Sequence, residues 1–241
     1  MLASYAKRLG DKGDARRELL KAAVDGCKQG HRLYSQAYER WNTEVAGPIA
    51  TDVRVAGRMI VGLGTESVLE TGITLHHTYG TPMIPGSALK GLANHYCDRV
   101  WGLKDTRFRA AAGDVSDHYH EVIFGTTEDS GHILFRDAWI TPKSLAQPGE
   151  GLVLDVMTPH HGSYYMADAS DNDTAPTDFD DPNPVLFLSA TGTFRVAVEC
   201  DVSDANGERW ARMALKLLTE ALRAWGIGGK TSAGYGRMAA K

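Results

Sequence analysis

The chain has 241 residues, 43% of them hydrophobic, and its 26 Lys and Arg against 30 Asp and Glu give a net charge of −4. This length supports one large domain or two small ones with a core that needs no disulfides, and the composition excludes an intrinsically disordered chain. A protein that binds nucleic acid alone through bulk charge is usually basic, so the charge favours a subunit whose basic groups line one groove of a larger assembly.

Cysteine spacing and hydropathy exclude several further classes. Cys27, Cys97 and Cys200 lie far apart with no C-x-x-C pair, so the sequence predicts neither a zinc ribbon nor a disulfide framework. The N-terminus has no apolar signal core, and no stretch approaches the ~20 apolar residues of a membrane span. We therefore expect a soluble, cytoplasmic protein with no cofactor and no membrane partner.

Residues 1–48 are predicted to form a helical N-terminal extension. Apolar residues recur at helical spacing around Leu20 and again around Tyr34, and Gly30 separates the two stripes. The outer side of the first helix is basic. Such a face is more often solvated than bound to RNA, and both interpretations stay open.

Residues 54–64 are predicted to be the first strand of the sheet, with Arg54 and Arg58 on the side opposite its apolar residues. A helix is predicted after Pro85, where Ser87 can cap the first amides and Lys90 lies off the apolar stripe. A helix N-terminus with a hydroxyl and a cation suits a phosphate, although an ordinary capped helix explains the same pattern.

The middle of the chain is predicted to hold an insertion and two strands. Residues 107–120 are polar and loop-rich. His118 and His120 could ligate a metal, but no third ligand occurs at a recognisable spacing, so we interpret them as surface histidines and predict no metal site. Residues 131–140 and 152–157 have the composition of strands.

Residues 158–184 differ in composition from the rest of the chain, with six aspartates between positions 168 and 181 and prolines on both sides. The run lacks the glycine and the final glutamate of an EF-hand loop. It is therefore predicted to be a functional arm or a disordered insert. His160, His161 and Tyr164 at its base could stack on bases or ribose, or pack as a hinge.

The last third returns to regular structure. Residues 185–200 are predicted to be a strand pair or one long strand bent at Gly192. Asp204 or Asn206 can start the last helix, and residues 235–239 can form a closing strand. The order strand, helix, strands, helix, closing strand is that of a ferredoxin-like βαββαβ domain.

The stretch GIGGKTSAGYGR, residues 226–237, is the strongest functional candidate. Its five glycines permit positive φ and close approach to a ligand, so we expect the amides around Gly228 and Gly229 to do most of the binding. A nucleotide-binding P-loop is excluded because Ala224 occupies the position of its first glycine. A glycine-rich turn that joins a helix to a strand is the simpler alternative.

The same stretch carries a cation, two hydroxyls, an aromatic ring and a guanidinium, the groups that a phosphodiester chain with bases requires. With the candidates above, the predicted RNA-binding residues are Arg54, Arg58, Ser87, Lys90, His160, His161, Tyr164, Gly228, Gly229, Lys230, Thr231, Ser232, Tyr235 and Arg237.

The combination of MIPGSALKG at residues 83–91 with GIGGKTSAGYGR resembles the repeat-associated mysterious protein (RAMP) superfamily of CRISPR effector subunits. It most resembles the small RAMP subunits near the head of type III-B Cmr complexes. The resemblance implies an α+β fold, namely one ferredoxin-like (RRM-like) RAMP domain over residues 54–239. Residues 1–48 would be its helical extension, and residues 158–184 an inserted thumb-like arm.

The resemblance also implies a function. It predicts a non-catalytic structural subunit that binds the guide RNA near its 3′ end, with target RNA and other RAMP subunits as further partners. An enzymatic alternative is a RAMP-type endoribonuclease that processes guide precursors, for which His76 and His77 are the best acid or base candidates, although we interpret them as positioning groups. A third alternative is target cleavage by Asp155 or Asp114, which nothing in the sequence singles out.

Overall fold

The computed structural model describes residues 12–47, 49–64, 71–110, 117–158 and 184–239. Its helices are α1 Lys12–Gln29, α2 His31–Trp41, α3 Gly86–Tyr96, α4 Tyr119–Phe124, α5 Pro142–Leu145 and α6 Ala205–Trp225. Its strands are β1 Ala50–Arg54, β2 Met83–Ile84, β3 Ile133–Phe135, β4 Ala138–Ile140, β5 Gly151–Met157, β6 Val185–Thr191 and β7 Thr193–Cys200. None of these helices is long and apolar enough to cross a membrane.

The main sheet is antiparallel in the order β1-β7-β4-β2, and β3 also pairs with β7. Residues 131–140, predicted as one strand, are divided into β3 and β4 at Arg136 and Asp137. The interruption lets the Asp137 carboxylate accept a hydrogen bond of 2.7 Å from Gly86 N, at the start of α3. Ser87 makes no capping bond, so the predicted serine cap is wrong.

The second sheet consists of β5 and β6 alone, paired antiparallel along their full length. β6 continues into β7 through Gly192, which has a φ of 125°. A Cβ at that position would lie 2.9 Å from Cβ of Ser144, so both the backbone angle and the packing require glycine. The predicted bend at Gly192 is confirmed: it separates two strands, β6 and β7, and carries the chain from the small sheet into the main one.

One face of the main sheet is covered by α3 and α6. The Asp204 carboxylate accepts hydrogen bonds of 2.8 Å from Asn206 N and Gly207 N, so Asp204 starts α6 as one of the two predicted caps. The buried side chains of this helix are Ala211, Ala214, Leu217, Leu218, Ala221 and Leu222. Burying each leucine stabilises the fold by roughly 1.5–3 kcal/mol, which explains why the apolar stripe fixes the orientation of the helix.

The opposite face of the main sheet is covered by α2 of the N-terminal extension. Trp139 of β4 stacks on Trp41 of α2 at a centroid distance of 4.9 Å and an interplanar angle of 4°. The Tyr34 hydroxyl donates a hydrogen bond of 2.6 Å to the Ile140 carbonyl. Arg195, which pairs with Trp139 across the sheet, donates to the side chain of Asn42 at 3.0 Å. The described part of the extension is helical as predicted; α2 faces the main sheet, whereas α1 packs on β5 and β6 of the second sheet.

Two strand predictions are wrong. β1 ends at Arg54, where the predicted strand was expected to begin, and residues 55–64 contribute only isolated bridges at Val55 and Met59. The predicted closing strand at residues 235–239 is likewise reduced to one bridge, between Val55 and Met238. The cause is that this segment divides its backbone hydrogen bonds between the C-terminal glycine-rich loop and residues 190–192, so no continuous strand pairing forms.

Candidate nucleic-acid interface

The glycine-rich loop begins where Gly226 ends α6 with a φ of 76°. Gly228, Gly234 and Gly236 also have positive φ, between 67° and 90°, as the sequence predicted for this stretch. The backbone reverses direction several times within a few residues, and only glycine adopts such angles without strain.

Lys230 is the only non-glycine residue with a positive φ among the described residues, at 58°. Its carbonyl accepts hydrogen bonds from Ala233 N at 3.0 Å and Tyr235 N at 3.2 Å, which hold the strained residue in place. Such a conformation costs of order 1–3 kcal/mol and is concentrated at functional sites. The Lys230 and Ser232 side chains are exposed and Thr231 is half-buried, so the loop presents a cation and hydroxyls to solvent.

The loop amides point mainly into the protein. Gly229 N donates to the Ile60 carbonyl at 2.8 Å, and Gly236 N donates to the Arg58 carbonyl at 2.7 Å. Ile227 N donates across the loop to the Gly236 carbonyl at 2.9 Å. These amides are therefore not free for a ligand, and the expectation that amides near Gly229 do most of the binding is wrong for them. The glycines allow the loop to pack on residues 58–61.

A hydrogen-bond network ties the loop to the β5–β6 sheet. The Asp155 carboxylate of β5 accepts hydrogen bonds from the Tyr235 hydroxyl at 3.1 Å and the Ser189 hydroxyl at 3.0 Å. Arg58 Nε lies 3.9 Å from the same carboxylate oxygen. Burial raises the pKa of Tyr235, and the nearby charge of Asp155 raises it further. The Tyr235 ring is thus a structural contact of the loop, and Asp155 is occupied by its neighbours.

The network lies close to the end of the hairpin from which the predicted arm extends. β5 ends at Met157 and β6 begins at Val185, in register with each other, and Asp155 is two residues from that end. Residues 159–183, including His160, His161 and Tyr164, lie outside the described residues. The structure therefore brings Arg58 and Tyr235 together near the end of this hairpin, and Lys230, Thr231 and Ser232 belong to the same glycine-rich loop as Tyr235.

Arg237 closes the loop against the end of α6. Its Nη1 donates to the carbonyls of Ala224 at 3.3 Å and Trp225 at 3.2 Å, and its Nε donates to the Thr231 carbonyl at 3.3 Å. A cation at this position also stabilises the negative end of the helix dipole. The Arg237 side chain is also exposed, so the guanidinium faces solvent although it binds the helix end.

The remaining predicted residues lie in two other places. Arg54 forms a salt bridge of 2.7 Å with Glu150, and this hydrogen bond is the main reason that the pKa of Glu150 is lowered. Ser87 is exposed and Lys90 half-buried on the first turns of α3. Because Gly86 N already binds Asp137, the start of α3 is less open to a phosphate than the sequence suggested.

A family model for the RAMP superfamily matches residues 52–239, which include the end of β1, all the other strands and the glycine-rich loop. The chain belongs to the RAMP superfamily. It is 30% identical over 258 aligned positions to the CRISPR system Cmr subunit Cmr6 of Pyrococcus furiosus, which covers 88% of this RAMP chain and 74% of that protein. The predicted family resemblance is confirmed.

One solved structure shares the fold of this RAMP chain. A chain of the type III-B Cmr-beta complex bound to cognate target RNA, solved by cryo-electron microscopy, matches with a TM-score of 0.52 and 23% identity. The match covers 78% of this chain and 56% of the other, so this chain spans little more than half of that subunit. The crystal structure of Cmr6 from Pyrococcus furiosus matches with a TM-score of 0.48 and 28% identity, over 80% of this chain and 97% of that one.

The candidate histidines of this RAMP chain have structural partners. His76 packs against Trp139 at a ring-centroid distance of 4.4 Å, and burial lowers its pKa. His120 is buried and hydrogen-bonded to the Asn94 side chain at 2.9 Å, so its interpretation as a surface histidine is wrong. Burial lowers the pKa of His120 too, against the opposing charges of Asp98 and Glu121. The described residues hold no cluster of three potential metal ligands.

Proposed function

We propose that this RAMP chain is a non-catalytic, guide-RNA-binding and structural subunit of a type III-B CRISPR interference complex, near the 3′ end of the guide. Similarity to Cmr6 supports its membership of such a complex. Its partners are the guide RNA, the target RNA and neighbouring RAMP subunits in the cytoplasm. The structural neighbour in a Cmr-beta complex bound to target RNA has the same fold, in agreement with that assembly.

We also propose that the central domain is ferredoxin-like. We take β1 as the first strand of this domain, β3 with β4 as the second, β7 as the third and the bridge at Met238 as the fourth. The sheet order is then fourth, first, third, second, with all neighbours antiparallel. α3 connects the first strand to the second, and α6 connects the third to the fourth. This is the strand order of a βαββαβ domain, with β2 added at one edge and β5 and β6 inserted before the third strand.

The observation that carries the proposed function is the strained, exposed Lys230 loop fixed beside the base of the arm. The loop is held by the bonds of Gly229 and Gly236 to residues 58–61 and by the Tyr235–Asp155 contact. A rigid cationic loop loses little conformational entropy when it binds a phosphate, which makes it a suitable contact for an RNA backbone.

The packing of α2 over the main sheet also favours the glycine-rich loop as the RNA contact. In RRM-like domains bases stack on aromatic residues of an open sheet face. Here Trp139 on that face is stacked under Trp41 of α2, and Arg195 is engaged by Asn42 and Asp52. RNA would have to displace α2 to reach these residues, so the glycine-rich loop and the arm base are the better contact surface.

The test is reconstitution of the complex with guide RNA and measurement of RNA retention against salt. Lys230→Gln should weaken retention and reduce the salt slope by about one unit, because one phosphate contact is lost. Lys104→Gln is the matched control, since Lys104 is an equally exposed lysine in a different loop. Equal behaviour of the two variants would refute the loop contact.

The endoribonuclease alternative is tested with the isolated chain instead of the complex. The purified chain, with and without Mg²⁺, is incubated with labelled repeat RNA and with a target complementary to the guide. We expect both RNAs to remain intact. Cleavage that is lost in His76→Ala or His77→Ala would replace the binding assignment with an enzymatic one.

A further inference from the structure

We propose that a groove beside the glycine-rich loop binds one unpaired nucleotide of the guide RNA, with its base against His95 and its phosphate at Arg237. This inference rests on the proposed function and specifies its chemistry. The groove lies between α3 and the end of α6 and has a volume of about 600 Å³. That volume is within the range of about 300–1,000 Å³ typical of small-molecule sites.

One wall of the groove is aromatic. The exposed imidazole of His95 stands perpendicular to the half-buried indole of Trp225, at a centroid distance of 5.2 Å and an angle of 83°. Tyr96 holds Trp225 from within the core, at 5.0 Å and 72°. Trp225 in turn positions the His95 ring, so His95 offers a stacking surface to a base at low entropic cost. Stacking accepts any base because each has a π face.

The other wall is cationic. Arg237 Nε and Nη1 are fixed by the carbonyls of Thr231, Ala224 and Trp225, whereas Nη2 has no acceptor among the described residues. A guanidinium that is already oriented and keeps a free N–H can bind a phosphate without losing further rotamer freedom. Lys230 lies next to Thr231 in the same loop and adds a second positive charge.

Small residues keep the groove open. Gly91 of α3 and Ala224 of α6 line it, and a Cβ at Gly91 would meet no heavy atom within 4 Å. The groove continues past His95 toward Asn94 and Arg99, which line an adjoining depression. A polynucleotide chain could therefore enter along α3, place one base at His95 and leave along the Lys230 loop.

The experiment uses reconstituted complexes whose guide RNA carries 2-aminopurine at one position, moved stepwise along the 3′ part of the guide. This base fluoresces less when it is stacked. In the wild-type complex, one position should be quenched. His95→Ala should raise its fluorescence about twofold and weaken guide binding about tenfold, whereas His95→Phe should restore both because it keeps the ring. His132→Ala, which removes another exposed histidine, should change neither.

The outcomes separate this inference from the proposed function. If complexes retain guide RNA but no position responds to His95→Ala, the stacking site is refuted and the RNA-binding assignment stands. If complexes that are assembled in the presence of guide RNA retain none of it, the proposed function fails and the inference fails with it. If diethyl pyrocarbonate cannot modify His95 in RNA-free complexes, a protein neighbour fills the groove and the nucleotide site is refuted. Because His95 is exposed, its substitution should leave folding intact.

Discussion

Gly228 provides the sharpest test of how the glycine-rich loop works. Its φ is 89°, and a Cβ would clash with the Ile60 carbonyl oxygen and lie 3.0 Å from the carbonyl carbon. Both atoms belong to the backbone, so no side-chain rotation can relieve the clash. Gly228→Ala must lift the loop from residues 58–61 and break the hydrogen bond from Gly229 N to the Ile60 carbonyl.

The expected loss of stability is the sum of two effects. An alanine with positive φ costs about 1–2 kcal/mol. Leaving the Ile60 carbonyl without its partner adds about 1–3 kcal/mol, since Ile60 is 0% exposed. The total of about 2–5 kcal/mol is a large part of the roughly 5–15 kcal/mol that stabilises a typical domain.

The control is Gly234→Ala, because Gly234 has the same φ, 90°, but no heavy atom within 4 Å of its Cβ position. It should lose only the conformational part, about 1–2 kcal/mol. Urea denaturation of both variants measures the difference, which we expect to be about 1–3 kcal/mol. If the two variants unfold at the same urea concentration, the close approach to Ile60 does not stabilise the loop and the argument fails.

Three further predictions concern single side chains. Lys230→Gly should leave stability unchanged or raise it slightly, by up to about 1 kcal/mol, while RNA retention falls, because strain and charge are removed together; a large loss in melting temperature would contradict it. Asp155→Asn should cost about 1–3 kcal/mol in urea denaturation, since the carboxylate binds Tyr235 and Ser189, and an unchanged midpoint would show that the network is dispensable. The fold lowers the pKa of His120, so its contribution to stability is present above the unfolded pKa of about 6.5 and is lost as the pH falls below that value. The free energy of unfolding should therefore drop from pH ~7.5 to ~5.5, and drop less in His120→Gln. An equal drop in both proteins would exclude His120 as the cause.

Much of the fold follows from local patterns. The apolar stripe of α6, its end at Gly226 and its start at Asp204 or Asn206 are readable from the sequence, because a helix is defined by contacts within a few residues, and the structure selects Asp204. The same is true of the bend at Gly192 and of the positive φ angles in the C-terminal loop. The two glycine-containing motifs were also sufficient to indicate the RAMP superfamily.

The errors occur where a distant segment competes for a hydrogen bond. The sequence around Ser87 contains a capping residue. In the structure, however, Gly86 N donates its hydrogen bond to Asp137, which lies between β3 and β4, 51 positions later. Residues 55–64 have strand composition, yet their carbonyls accept from Gly229 and Gly236 more than 160 positions later. His120 is polar and follows a polar loop, so the sequence does not indicate that it is buried. In the structure it is buried and hydrogen-bonds to Asn94, 26 positions earlier.

By itself, the sequence determined most of the helices, the bend at Gly192, the family and the positive φ angles of the glycine-rich loop, since each depends on neighbouring residues or on short motifs. Only the tertiary structure decided what the glycines do: several of their amides bind the protein, and the exposed cation and hydroxyls of the loop remain for a ligand. It also decided that α2 covers the sheet, through the stacking of Trp41 on Trp139. Such pairings join residues almost a hundred positions apart, and no local preference encodes them.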